Sequence, residues 1–353
     1  MMKKFLALLV SLTMLCSCAL ADAALTDCAI ANGNVQAVHY VDVTAPYSGT
    51  LATFDVAMGD RVQAGDILFR MLTTTVYASE DGVVQAVFGE AGADATALTA
   101  RYGAVTVVEP YQQLRISAST QGAYNDEDNK HIHVGEALYF RSSGTEKEEG
   151  FGRVISVSGS HYVVDVLDGN FNLGETMTMY RDDRYAAKDN VGKGSIIRRD
   201  PLMYQGAGRV ADVVAEQGKA VKAGDPLFTL MGTDADADAS PNVTAPAEGV
   251  VGTVAVSAGQ QVWKGQVLAR IYLTDEMEVV ADVDEIDLNG LQVGDTISVT
   301  LDTDADTVIS GKVTEISALG VTKQNAAYYT VHVSIPAEDM LLGASASVYI
   351  PQK

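Results

Sequence analysis

Ala245-Pro246-Ala247-Glu248-Gly249-Val250-Val251-Gly252-Thr253-Val254-Ala255-Val256-Ser257-Ala258-Gly259-Gln260-Gln261-Val262-Trp263-Lys264-Gly265-Gln266-Val267-Leu268 is the stretch that decides the fold. It reads as strand, glycine turn, short strand, glycine turn, strand. Gly249, Gly259 and Gly265 punctuate it, and the Val and Leu residues between them suit a small half-buried sheet. The same phrase occurs at Gly49, Val56, Gly59, Val62, Gly65 and Leu68, and again at Gly208, Val213, Gly218, Val221, Gly224 and Leu227. A weaker copy opens at Gly82-Val83-Val84 and keeps Gly92, but has Leu98 where its last glycine should stand.

The copies lie in a fixed register. Gly49, Gly59 and Gly65 recur as Gly208, Gly218 and Gly224, and Gly135 and Gly152 recur as Gly294 and Gly311, always 159 residues on. One offset shared by five glycines indicates a tandem duplication of a unit of about 150 residues. Around these copies, runs such as Val83–Phe88, Arg153–Val157, His161–Leu167 and Thr296–Leu301 are rich in Val, Ile, Thr and Tyr and end at turn residues. Helical periodicity is nearly absent; Asp284–Leu291 is the best candidate, with Asp284 as cap and Ile286 and Leu288 facing inward. The expected class is all-β.

Composition narrows the function. The 353 residues suggest about two domains, with 47% hydrophobic residues to fill their cores. A net charge of −22 repels phosphate backbones, which argues against nucleic acid as a partner. Lys3 and Lys4 precede an apolar run, Phe5–Leu15, that is too short to span a bilayer and right for an export signal. Two processing routes stay open. Ala19-Leu20-Ala21 offers a cleavage site that gives residues 1–21 as signal peptide, while Leu15-Cys16-Ser17-Cys18 resembles a lipobox that would leave a lipidated Cys18. All three cysteines lie before residue 30, so the body of the chain has no disulfide framework.

Ala45-Pro46-Tyr47-Ser48-Gly49 and Ala245-Pro246-Ala247-Glu248-Gly249, each followed by the spaced Val and Gly residues, resemble the halves of a biotinyl/lipoyl-like domain. Met277–Gly294, Gly311–Ile316, Tyr329–Val333 and Leu342–Ala346 are similar to the β-barrel of HlyD-type membrane-fusion proteins, the adaptor subunits of bacterial exporters. Where that family usually has Gly-Met, this chain has Gly343-Ala344. The resemblance implies lipoyl-like domains at 36–109 and 195–272 and barrels at 110–182 and 275–353, in alternating order. A nested order, with the first half-motif paired to the last, is open, but the common offset favours the tandem one. The resemblance further implies an exported, membrane-associated, homo-oligomeric and non-catalytic adaptor for a transporter, with an ABC-type preferred and an RND-type possible. A secreted structural or ligand-binding module is the alternative.

Sharper chemistry is weakly supported. A biotin or lipoyl carrier needs a lysine at the junction of its halves, and neither Met71–Val76 nor Met231–Pro241 has one, so no prosthetic group is expected. Those junctions also leave no room for the family's long helical hairpin. Asp234, Asp236 and Asp238 have calcium-loop spacing but lack the required Gly and Glu, and read as a solvated linker. Asp302, Asp304 and Asp306 read as a polar hairpin. His131 and His133 alternate along an expected strand without a third ligand beside them, so no metal is assigned. Trp263 reads as local packing or a contact. The residues singled out are the turn glycines Gly49, Gly59, Gly65, Gly208, Gly218, Gly224, Gly249, Gly259 and Gly265, and Cys18 for lipidation.

Overall fold

A computed structural model describes residues 28–144, 147–323, 326–336 and 341–352. The signal segment and Cys18 lie outside the described residues. The strands come in the order β1 (Cys28–Ala37), β2 (Tyr40–Thr44), β3 (Gly49–Thr50), β4 (Arg61–Val62), β5 (Ile67–Arg70), β6 (Thr74–Tyr77) and β7 (Gly82–Val87). A helix, α1 (Ala95–Tyr102), follows, then β8 (Thr106–Pro110), β9 (Leu114–Ser119), β10 (Ala137–Ser142), β11 (Glu149–Ser158), β12 (His161–Asp168), β13 (Thr176–Tyr180) and β14 (Asn190–Arg198). The chain continues through β15 (Leu202–Tyr204), β16 (Arg209–Val213), β17 (Ala220–Val221), β18 (Pro226–Met231), β19 (Asn242–Thr244), β20 (Gly249–Val254), β21 (Gln261–Val262) and β22 (Val267–Leu273). It closes with β23 (Met277–Asp284), β24 (Thr296–Leu301), β25 (Asp304–Lys323), β26 (Ala326–Ile335) and β27 (Ser345–Pro351).

The all-β class holds, but the half-motifs pair in nested order. In the enclosing unit, β2 and β20 flank β22, β20 also pairs with β4, and β5 pairs with β19, so residues 40–70 combine with 242–273. In the inserted unit, β15–β8–β7–β17 and β16–β18–β6 combine residues 74–110 with 202–231. The spans 36–109 and 195–272 therefore do not each close on themselves. Each has one half in either unit. The local reason lies between β5 and β6. Only Met71-Leu72-Thr73 lies there, and it lacks the Asn, Asp or Gly that a tight hairpin turn needs. The segment separating the halves of the enclosing sandwich is thus Leu72–Pro241, filled by a sandwich and a barrel, not the few residues of Met71–Val76.

Each unit carries a closed six-stranded barrel. The mid-chain barrel runs β14–β9–β12–β11–β10–β13 and the terminal barrel β1–β23–β26–β25–β24–β27. These are the same cyclic order. The 159-residue offset survives in the registers, where Leu138 faces Gly152 and Ile297 faces Gly311. The spans 110–182 and 275–353 leave out one strand each: β14 closes the first barrel and β1, from the other end of the chain, closes the second. The mid-chain core holds Phe140, Tyr162, Phe171, Met177 and Met179; the terminal core is mostly Val and Ala, including Val35, Val279, Val299, Val313 and Val348. Each such side chain taken fully out of water contributes about 1.5–3 kcal/mol.

Two helix readings change. Asp284–Leu291 forms turns instead of a helix. Asp284 does cap them, accepting from the Ile286 N–H at 3.1 Å, and Leu288 packs on the barrel core, but Ile286 points into solvent. The helix the sequence analysis missed is α1, standing where the weak fourth copy lost its glycine. Asp94 caps it by accepting from the Thr96 and Ala97 N–H groups at 2.9 and 3.1 Å, and Gly103 ends it at φ 82°. Asp94, the Ala-rich run and Gly103 were the available signal.

Candidate functional site

The glycine turns form two reciprocal pairs of clasps in the enclosing sandwich. The Gly59 N–H donates to the Val251 carbonyl and the Val251 N–H to the Asp60 carbonyl; Gly65 and Asp66 hold Ala245 in the same way. In return Gly259 and Gln260 hold Leu51, and Gly265 and Gln266 hold Ala45. Each turn has one design. The residue after glycine sends its side chain back to the N–H three residues earlier, at 2.7 Å for Asp60 to Ala57 and 2.8 Å for Asp66 to Gln63. Gln260 and Gln266 do the same for Ser257 and Trp263. The glycine itself must sit at positive φ, and Gly59, Gly65, Gly259 and Gly265 lie between 76° and 95°.

In the inserted sandwich Gly218 and Gly224 clasp Val84 and Ala78 at φ 82° and 91°, and Gly208 is also left-handed at φ 103°. The opening glycines of the other copies are different. Gly49 and Gly249 lie in strands and are not left-handed. A Cβ on Gly249 would overlap the Tyr272 carbonyl, so close strand approach, not turn geometry, excludes a side chain there. Trp263, at the head of its turn, is 67% exposed, which favours the contact reading over local packing.

The two barrels present chemically different rims. Antiparallel pairing brings the start of β1, the ends of β23, β25 and β27, and the starts of β24 and β26 to one rim of the terminal barrel. Exposed apolar side chains gather at or near it: Ile30, Ile286 (81%), Val293, Leu319 (78%) and Val321. Leu319 is pushed out by a bulge, since the five residues of β25 from Ile316 to Gly320 face three of β26, Tyr329 to Val331. The corresponding rim of the mid-chain barrel is more polar, although Val134 is exposed there as Val293 is on the other. Arg181 donates from Nε to Glu136 Oε1 at 2.7 Å and from its terminal nitrogen to the His131 carbonyl at 2.6 Å. Asp128, His131, His133, Glu136 and Arg181 line a shallow cleft there. Beside it Arg184 grips Asp182 at 2.7 Å through both oxygens, and these hydrogen bonds hold the Asp182 carboxyl well below the usual carboxylate range.

The remaining sequence candidates disperse. His131 and His133 lie in the connection before β10, not on a strand. Asp234 accepts from the Ser48 N–H at 3.0 Å and hydroxyl at 2.6 Å within the inserted unit, and its neighbours form the loop between β18 and β19. Asp302 stands in the β24–β25 turn, and Asp304 accepts from the Thr307 hydroxyl at 2.7 Å. Among the described residues no three His, Cys, Asp or Glu side chains are grouped to hold a metal ion, and no helix is long and apolar enough to cross a membrane.

No protein-family model matches the chain. It is 29% identical over 162 residues to a putative efflux system component, YhbJ, of Bacillus subtilis (strain 168), covering 41% of this chain and 71% of that one. Among solved structures, the chain is 27% identical to the periplasmic adaptor protein EmrA, over 32% of its own length and 33% of EmrA, at a TM-score of 0.27. It thus spans about a third of that chain. Against the membrane fusion protein Spr0693 from Streptococcus pneumoniae R6 the identity is 15%, over 92% of this chain and 99% of the other, at a TM-score of 0.38.

Proposed function

We propose that the protein is a non-catalytic adaptor subunit of a bacterial export or efflux system, held outside the cytoplasm at the membrane and working as a homo-oligomer with a transporter. The sequence match to an efflux system component carries this reading. The geometry supports it: the turn clasps make stiff sandwiches, and the terminal barrel's apolar rim is the surface we assign to the transporter. It lies where the chain enters β1 and leaves β27, so whatever tethers residues 1–27 also holds this rim near the membrane. An ABC-type transporter is the preferred partner. Between the halves of the enclosing sandwich stand a β-sandwich and a barrel, with no helical hairpin to reach a channel in a second membrane. The role asks for no reacting group and no prosthetic group.

Co-purification tests it. A tagged copy, extracted in mild detergent, should bring down a membrane transporter, and deletion of the gene should make an exported compound accumulate in the cells. If neither occurs, the adaptor reading fails in favour of a secreted β-module. Intact mass of the mature protein settles the processing route. A diacylglycerol increment selects Cys18, a chain starting at Asp22 selects the Ala19-Leu20-Ala21 site, and a biotin or lipoyl increment would overturn the absence of a prosthetic group.

A further inference from the structure

The two barrels are equivalent strand for strand, and this equivalence reaches β1 and β14, which lie at opposite ends of the repeat. A Cβ on Gly33 of β1 would meet the Val280 carbonyl at 2.7 Å, Val279 and Ala281; one on Gly194 of β14 would meet the Ser117 carbonyl at 2.5 Å, Ile116 and Ala118. Two residues further along, the Gly343 N–H donates to the Val35 carbonyl and the Val35 N–H to the Ala344 carbonyl. The Gly174 and Ile196 N–H groups do the same with Ile196 and Glu175. β1 and β14 are therefore the same strand of the same barrel. Read in chain order, residues 28–189 and 190–351 each contain a closing strand, two half-motifs and five barrel strands.

Neither repeat uses its own closing strand. β14, from the second repeat, closes the barrel of the first, and β1, from the first, closes the barrel of the second. The half-motifs cross in the same way, since 40–70 pairs with 242–273 and 74–110 with 202–231. We infer that the protein is two copies of one repeat that have reciprocally exchanged a closing strand and a half-motif, so that the binding partner each repeat requires is a second copy of that repeat. The exchange is a domain swap with the two partners joined in one chain.

The connectors explain why the exchange is obligatory. To close alone, a repeat must turn back between its two half-motifs. In the second repeat Gly232–Pro241 gives ample chain for that turn, but in the first only Met71-Leu72-Thr73 separates β5 from β6. A short connector that cannot reverse drives the strands onto a partner. Because the exchange is reciprocal, the short connector of the first repeat commits the second one too. The covalent link between the repeats is the β13–β14 connection, Arg181–Asp189, whose Arg181 holds Glu136 and the His131 carbonyl of the mid-chain barrel. It keeps the repeats at high effective concentration.

The test is a cut in the folded, full-length protein, at a protease site inserted after Ala186 in that connection. The two fragments should stay together as one species of unchanged size through a native column. They should separate in denaturant and re-form a 1:1 complex when mixed. Melting of the cut protein should also become dependent on concentration, rising with each tenfold increase, whereas the uncut chain melts independently of it. Fragments that part on the native column as two folded monomers would overturn the inference. Where cutting unfolds the protein, a second measurement stands in on the uncut chain. Thr75→Cys with Thr229→Cys, at facing positions of β6 and β18, should oxidise within one chain to a disulfide bridging the two repeats. Failure of these positions to bridge would sink it as well.

Discussion

In the mid-chain barrel β10 places Phe140 in the core; 159 residues later β24 places Val299 at the same point of the terminal barrel. The first barrel is packed with rings and methionines, the second with small branched side chains. Their rims diverge in the opposite sense, charged and hydrogen-bonded around Arg181 and Glu136, apolar around Ile286 and Leu319. Their attachments differ too. Arg199, 6% exposed, makes a bidentate pair with Glu80 at 2.6 and 2.8 Å and joins the mid-chain barrel to its sandwich. At the corresponding joint of the enclosing unit, His39 and Glu276 sit 3.4 Å apart in full view of solvent. One strand order tolerates both cores and both rims. The rim chemistry is therefore not a demand of the fold, and the exposed apolar set is better explained by what it touches.

Substitutions at matched positions sharpen or break this contrast. Phe140→Ala should cost roughly 3–5 kcal/mol and Val299→Ala about 2 kcal/mol, because a ring leaves a larger cavity than two methyls. Denaturant unfolding of each variant checks it, and equal losses would mean that the mid-chain core collapses around the gap. Gly135→Val and Gly294→Val, at φ 89° and 100° with open space around both, should each cost roughly 1–3 kcal/mol through backbone strain alone. Clearly unequal costs would break the equivalence of the barrels. Gly259→Val should behave alike in the enclosing sandwich.

The joints respond differently to acid. Hydrogen bonding to Arg199 lowers the Glu80 carboxyl below its ordinary 4.5. Its contribution is complete above the unfolded value and is lost as pH falls through the lower, folded value. Melting followed from pH 7 to pH 3 should show the inserted unit weakening below about pH 4.5. Glu80→Gln should remove that part of the slope and cost roughly 1–3 kcal/mol at pH 7, because it leaves the guanidinium short of its charged partner. His39→Ala should change stability by less than about 0.5 kcal/mol, as expected of an exposed pair. Smallest in stability but largest in function, Ile286→Ser with Leu319→Ser should leave melting within about 0.5 kcal/mol and abolish transporter co-purification. Val134→Ser on the other rim should leave both unchanged. Loss of binding only with Val134→Ser would move the docking surface to the mid-chain barrel.

The sequence carried the alphabet of this fold better than its grammar. Val83–Phe88, His161–Leu167 and Thr296–Leu301 fall within a residue of β7, β12 and β24, and Arg153–Val157 lies inside the longer β11, because strand and turn are set locally. Pairing is not local. The 159-residue offset reports how the chain was duplicated, and four half-motifs of one pattern leave the choice of partner to a three-residue connector. The one-strand permutation could have been seen in Gly33 and Gly194, spaced 161 residues apart and each followed by a strand-like run, but their neighbours share almost no other identity. The apolar rim was less legible still. Ile286 looked like the inner face of a helix, and Leu319 is exposed only because β25 bulges.

Cys28 and Pro351 are direct neighbours on antiparallel strands. Pulling these two points apart would load the β1–β27 ladder from one end, and its hydrogen bonds, lying across the strands, would give way one after another at low force. A pull from Cys28 against the sandwich beyond Ala37 meets a different mechanical element. There the tension runs lengthwise through the already extended backbone of β1, and neither ladder is peeled from its end. A chain tethered through residues ahead of Cys28 and gripped at its sandwich would therefore be loaded in its strong direction, and one held by its two ends in its weak one.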